Sequence, residues 1–282
     1  MTRPHRSALY IPGSKARALD KARELAADVI LFDLEDAVAP DEKPAARATL
    51  AEELGKGGYG PRLRVVRINA LDTDWGGEDA RAVAAMECDA VLLPKVSSPQ
   101  DIDAVAALVP NTPVWAMIES PSGILNAAAI AAHPALAGFV IGTNDLAKDL
   151  GTRSTADRAA LWTALQTCVL AARAHDVVVL DGVYNAFKDD EGLRAECEQG
   201  RDFGMDGKTL IHPAQLEIAN AVFAPTEAEI ETARRQIAAY DAAIAEGQAV
   251  AVVDGKIVEN LHVETARATL TKAEAISELE SA

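Results

Sequence analysis

The sequence predicts a (β/α)8 barrel (a TIM barrel) over residues 1–223, with a C-terminal extension of helices and a hairpin over residues 224–282. Three observations predict it. Eight short apolar runs recur in the first part of the chain. Ala-, Leu- and charge-rich stretches with apolar residues at helical spacing separate them. Several runs, VILFDL and VVVLDG among them, are apolar nearly throughout, as strands covered on both faces must be. Strict alternation of strand and helix with eight strands closes a barrel. A doubly wound open sheet is the competing fold, but no GxGxxG follows the first run.

In order, the runs are residues 7–12, 28–36, 63–69, 90–96, 114–119, 138–145, 177–184 and 208–212. Residues 15–27 and 156–175 read as two of the intervening helices. After Phe223 the pattern changes. Thr226 caps a long helix reaching about Glu246, with Glu227 and Glu229 in its first turn. Asp254-Gly255 then separates two short apolar segments, which is a hairpin signal, and a last helix follows. This tail is not needed to close a barrel and reads as a lid or an oligomer contact.

With 282 residues and 49% hydrophobic content the chain can bury one substantial core, and with 4% aromatics that core should be aliphatic. A formal net charge of −16 argues against nucleic-acid or anionic-membrane partners. An anionic substrate would need a local cationic pocket. Cys88, Cys168 and Cys197 lie far apart without metal-finger spacing, which fits a reduced, cytoplasmic protein. No signal-like or membrane-spanning stretch is read from the sequence.

Chemistry in such barrels sits at the C-terminal strand ends. Here those ends carry Asp33, Glu35 and Asp36, then Arg67 and Asn69, Lys95, Glu119, Asn144 and Asp145, Asp181, and His212. Glu119 and Asp145 come from adjacent runs. Two buried carboxylates side by side ask for a cation, and oxygen ligands without His or Cys favour Mg²⁺. Alternatively Asp145 caps the next helix and Glu119 pairs with Arg67. Arg67 suits gripping a carboxylate or polarising a carbonyl, and an ion pair with Glu35 or Asp36 is its structural alternative. Lys15 and Lys21 read as solvated helix lysines. His212 reads equally as a functional or a packed histidine.

The segments RSALYIPGS, DVILFDLEDAV, MIESPSGILNA, GTNDLAKDLG and FGMDGKTLIHPAQ resemble successive motifs of the citrate lyase β-subunit-like branch of the HpcH/HpaI aldolase superfamily. The resemblance runs from Arg6 to about Phe223, with a weaker match through residues 254–266. It implies a TIM barrel assembled as trimers or hexamers, with Mg²⁺ on Glu119 and Asp145 and Arg67 at the substrate's oxygens. It places Lys15 and Lys21 at coenzyme A. It implies a catalytic carboxylate on the C-terminal segment. Relatives read DGKMID there, and this chain ends the same stretch on Glu259, one methylene longer.

The expected activity is Mg²⁺-dependent carbon–carbon cleavage of a citryl-, malyl- or citramalyl-CoA thioester to an acyl-CoA and a 2-oxo acid. Arg67, Asn144 and the two metal carboxylates would touch substrate, and Glu35, Asp36 or Glu259 would move the proton. The alternatives are a CoA-independent pyruvate or oxaloacetate aldolase, a malyl-CoA thioesterase, and a citrate lyase β subunit that needs its partner.

Overall fold

The computed structural model describes residues 3–153 and 155–281. Eight parallel strands close into a barrel in sequence order: β1 (Ser7–Pro12), β2 (Val29–Asp33), β3 (Leu63–Arg67), β4 (Ala90–Leu93), β5 (Val114–Ile118), β6 (Leu136–Ile141), β7 (Val178–Asp181) and β8 (Gly207–Leu210). Pairing of Ser7 with Lys208 across β1 and β8 completes the ring.

Two apolar layers follow from the period-two alternation of side chains along each strand. Ala8, Val29, Leu31, Val65, Leu92, Trp115, Val140 and Leu180 form one cluster. Their neighbours Leu9, Ile30, Phe32, Val66, Val91 and Val179 pack in the larger one, together with helix residues such as Leu50 and Leu165. Gly138 faces Trp115, where a Cβ would come within 2.6 Å of the indole. The core is aliphatic, as the composition implies.

Except for β1, the strands are shorter than the runs that announce them. Residues 34–36, 68–69 and 94–96 leave the ladder and form the loops at the mouth. The sixth run is the clearest departure: β6 stops at Ile141, and Asp145 lies in the first turn of the helix Thr143–Leu150, not on the strand. The helix expected over 15–27 is confined to Ala16–Lys21 and decays into turns. Within 156–175, a short 3-10 turn, Ala159–Leu161, precedes the helix Trp162–Ala174.

His5–Phe223 forms one compact unit, and the chain from Ala224 onward belongs to another. In the second, Thr226 and Glu229 form a reciprocal capping box on the helix Glu227–Ala245. An antiparallel hairpin of β9 (Ala251–Val253) and β10 (Lys256–Val258) turns through Asp254 at φ 50° and Gly255 at φ 73°. Positive φ at both central residues fits the twist of a two-residue hairpin. The helix Asn260–Ser281 ends the unit. No helix among the described residues is long and apolar enough to cross a membrane.

Candidate active site

A cleft of about 470 Å³ opens where the C-terminal strand ends converge. Tyr10, Asp33, Asp36, Arg67, Glu119, Asn144 and Asp145 are among its lining residues. The barrel places them there: β2 ends on Asp33 and β3 on Arg67, Tyr10 stands near the end of β1, and Glu119 follows β5 directly.

Arg67 is its cationic centre. Its Nε and Nη2 donate to the two oxygens of Asp33 at 2.8 and 2.6 Å, a bidentate pair. Nη1 lies 2.9 Å from Glu35 and 3.3 Å from Asp36, and the guanidinium carbon stands 4.7 Å from the Tyr10 ring centroid. Asp33 is buried and also accepts from the backbone N–H groups of Glu35 and Ala37, so it fixes both the loop and the arginine. The pairing of Arg67 with Glu35 and Asp36 therefore forms. The alternative pairing with Glu119 does not, among the described residues.

Glu119 is buried just beyond β5, and its Oε1 accepts the backbone N–H of Lys95 at 2.8 Å. Lys95 makes that contact from a left-handed conformation, φ 57°, an uncommon backbone for a lysine. Burial pushes the Glu119 carboxyl up to about 7 and the nearby Asp145 adds to the rise, while the Lys95 amide and Arg67 oppose it. Glu35 is likewise raised by burial to about 7 against the pull of Arg67. Gly142 makes room for Glu119: a Cβ there would lie 2.5 Å from Oε2.

Asp145 is half-buried, not buried as the sequence suggested, because it sits on a helix's first turn at the cleft wall. It does not cap that helix, and its carboxylate makes no hydrogen bond or ion pair among the described residues. Asn144 exchanges side-chain hydrogen bonds with Asn185, at 2.9 and 3.4 Å. The other sequence candidates stand apart. Lys15 and Lys21 are exposed and do not line the cleft; Lys15 lies 3.7 Å from Glu42. His212 accepts the Ala214 N–H and stacks on Phe187, so it orders the last turn. Asp181 is fully buried with Lys208 and Arg158. Glu259 is exposed and belongs to the second unit.

Sequence reasoning missed three features. Tyr10 reads as an ordinary strand aromatic, yet its hydroxyl is buried without a hydrogen-bond partner among the described residues, and burial raises its pKa. Lys208 was visible only as a lysine inside the apolar run GKTLI. Lys43 follows PDE and looks like a solvated helix start, but it is buried.

No group of three or more His, Cys, Asp or Glu side chains that could hold a metal is present among the described residues. Of the carboxylates that line the cleft, Asp33 and Asp36 are engaged by Arg67, which leaves Glu119 and Asp145 as a pair of hard oxygen donors. Such a pair suits a cation that keeps open positions for substrate oxygens.

A parallel (β/α)8 barrel with an arginine and acidic groups gathered at the C-terminal strand ends has the architecture of a barrel enzyme. The chain belongs to the HpcH/HpaI aldolase/citrate lyase family, whose model matches residues 6–213. A protein named (3S)-malyl-CoA thioesterase from Cereibacter sphaeroides is 66% identical over 274 residues, covering 97% of this chain and 96% of the relative. An L-malyl-CoA/beta-methylmalyl-CoA lyase of the same species is 36% identical over 98% of this chain and 96% of its own. The solved structure of CitE from Mycobacterium tuberculosis in complex with magnesium, acetoacetate and coenzyme A aligns with a TM-score of 0.80 at 31% identity, over 96% of this chain and 98% of that one.

Proposed function

We propose that this protein hydrolyses the thioester of a 3-hydroxy-acyl-CoA of the malyl-CoA type, releasing free CoA and the hydroxy acid. The reading rests on one arrangement, Glu119 and Asp145 facing Arg67 across a single cleft, in a chain 66% identical to a malyl-CoA thioesterase. Mg²⁺ is part of the proposal, held by Glu119 and Asp145. The fit is supported by the unengaged Asp145 carboxylate and by Glu119, whose burial a cation would offset. When bound, Mg²⁺ would orient and polarise the hydroxyl and carboxylate oxygens of a 2-hydroxy acid.

This chain's own residues supply the rest. Asp36 is the loosest carboxylate partner of Arg67, at 3.3 Å and with its side chain 76% exposed. A substrate oxygen takes its place on Nη1, where the fixed guanidinium stabilises charge on a carboxylate or a thioester carbonyl. Asp33 keeps the guanidinium aimed. Glu35, with a pKa of about 7, is matched to taking the proton of the attacking water at neutral pH. The water oxygen bonds to the thioester carbon, the carbon–sulfur bond breaks, and the CoA sulfur leaves and is protonated. Asn144 contributes a polar contact to substrate. Lys15 and Lys21 serve the CoA phosphates.

Carbon–carbon cleavage is the second reading, favoured by the lyase among the relatives. In it Glu259 takes the role of the tail carboxylate. A trimer or hexamer belongs to either reading, supported by Val252, Ile257 and Leu261, which leave apolar surface exposed on the second unit; a monomeric mass by light scattering would contradict it. Free thiol and 2-oxo acid measured in parallel from malyl-, citramalyl- and citryl-CoA, with Mg²⁺ and with EDTA, separate the reactions. Metal-dependent thiol release without matching oxo acid is expected. Oxo acid with the acyl-CoA intact moves the assignment to the lyase, and neither product rejects both.

A further inference from the structure

Behind the loop that carries Glu35 and Asp36 lies a cation the cleft does not expose. Lys43 opens the helix Lys43–Gly55 and is only 6% exposed. Its Nζ donates to the backbone carbonyls of Leu34 at 3.1 Å and Glu35 at 2.8 Å, and to Oδ1 of Asn69 at 2.6 Å. No carboxylate pairs with it among the described residues, and the Trp75 ring centroid lies 5.2 Å away. A buried ammonium without a carboxylate is costly, so its hydrogen bonds to carbonyls are its compensation.

Asn69 completes the grip. Its Nδ2 donates to the same Leu34 carbonyl at 2.8 Å and to Asp79 at 2.6 Å, and fully buried Asp79 is held in turn by Nε of Arg47 at 2.9 Å. The helix Gly76–Val83 that carries Asp79 approaches closely because Gly76 lacks a Cβ, which would lie 2.2 Å from the Ala70 carbonyl oxygen. Two helices thus converge on the carbonyls of two successive residues. The side chains that follow, Glu35 and Asp36, are those on Nη1 of Arg67.

We infer that Lys43 is a positioning residue: with Asn69 it clamps the Leu34–Asp36 loop so that Glu35 and Asp36 meet Arg67, and turnover depends on it more than substrate affinity does. This rests on the hydrolase reading above. Lys43 does not line the cleft, so it acts through the loop. A displacement near 1 Å at reacting groups costs about 10²-fold in rate.

The test compares Lys43→Met and Lys43→Arg with the wild type. Thiol release from malyl-CoA is followed for kcat and KM, and backbone amide exchange is followed at Glu35 and Ala37, whose N–H groups bond to Asp33. The Met variant is expected to lose about 10²-fold in kcat, with KM and Mg²⁺ affinity within about twofold and faster exchange at both amides. Arg keeps donors for the carbonyls and recovers most of the loss. Unchanged kcat in a folded Met variant overturns the inference, as does a loss confined to KM. If wild-type protein releases no thiol, the hydrolase reading fails alone and amide exchange decides: unaltered exchange in the Met variant overturns the clamp. Should Lys43→Met not fold, Lys43→Gln is read the same way.

Discussion

Arg67 is surrounded by more negative charge than it can neutralise, and the site's chemistry follows from that. Asp33, Glu35 and Asp36 all contact one guanidinium, and burial, with smaller contributions from the neighbouring carboxylates, raises Glu35 to about 7 against the pull of Arg67. Removing the cation leaves Asp33 buried and unpaired. Arg67→Met is therefore expected to lose about 3–5 kcal/mol of stability in urea unfolding. Arg67→Lys keeps the charge but not the bidentate fork, so it should lose activity with a smaller stability change. The raised carboxyls also set a pH dependence. Between the unfolded value of 4.5 and the folded value near 7, Glu35 and Glu119 hold more protons folded than unfolded. Their contribution to stability is present below that window and is lost as pH rises through it. With Mg²⁺ on Glu119 the loss is offset, so Mg²⁺ should raise the calorimetric Tm more at pH 7.5 than at pH 5, and its binding near pH 6.5 should release protons. An equal Tm increment at both pH values would contradict the Glu119 assignment. At this scale the sequence marked Arg67, Glu119 and Asp145 because charged residues at the ends of apolar runs are conspicuous. It did not mark Lys43, whose charged flanks mimic a solvated helix start.

At the scale of elements, side chains at the mouth depend on backbone conformations that only certain residues tolerate. Gly142 follows β6 and packs against Glu119, and a methyl group there would meet the Glu119 Cβ at 2.4 Å. Gly142→Ala should cost about 1–3 kcal/mol from overpacking. It should also weaken Mg²⁺ binding in titration calorimetry, because Glu119 must move. Unchanged affinity would show that Glu119 does not hold the ion. The strands and the hairpin at Asp254-Gly255 were legible because their signals are local: period, β-branching and turn residues. The placement of Asp145 was not, since Gly142 alone separates the strand from a helix whose first turn is as polar as a strand end. Nor was the cluster of Lys208, Asp181, Arg158 and Glu196, because it joins four separate segments through contacts of 2.6–3.5 Å. No sequence period encodes such a meeting.

Over the whole molecule, the net charge of −16 opposes an anionic thioester. Screening weakens repulsion over distances beyond about 10 Å at 0.1 M salt while leaving close contacts intact. KM for malyl-CoA should therefore fall as NaCl rises from 10 to about 150 mM, with kcat little changed. A KM that rises steeply instead would mean that exposed cations such as Lys15 and Lys21 dominate binding. The barrel itself followed from pattern alone, since eight doubly covered strands have few ways to close. The choice between breaking a carbon–sulfur and a carbon–carbon bond did not, because both reactions use the same carboxylates, arginine and metal. That choice is tested most directly by the fate of solvent oxygen. With malyl-CoA, Mg²⁺ and ¹⁸O-labelled water, mass spectrometry should find malate carrying one solvent oxygen in the carboxylate that was the thioester, together with stoichiometric free CoA. Glyoxylate and acetyl-CoA without labelled malate would contradict the account.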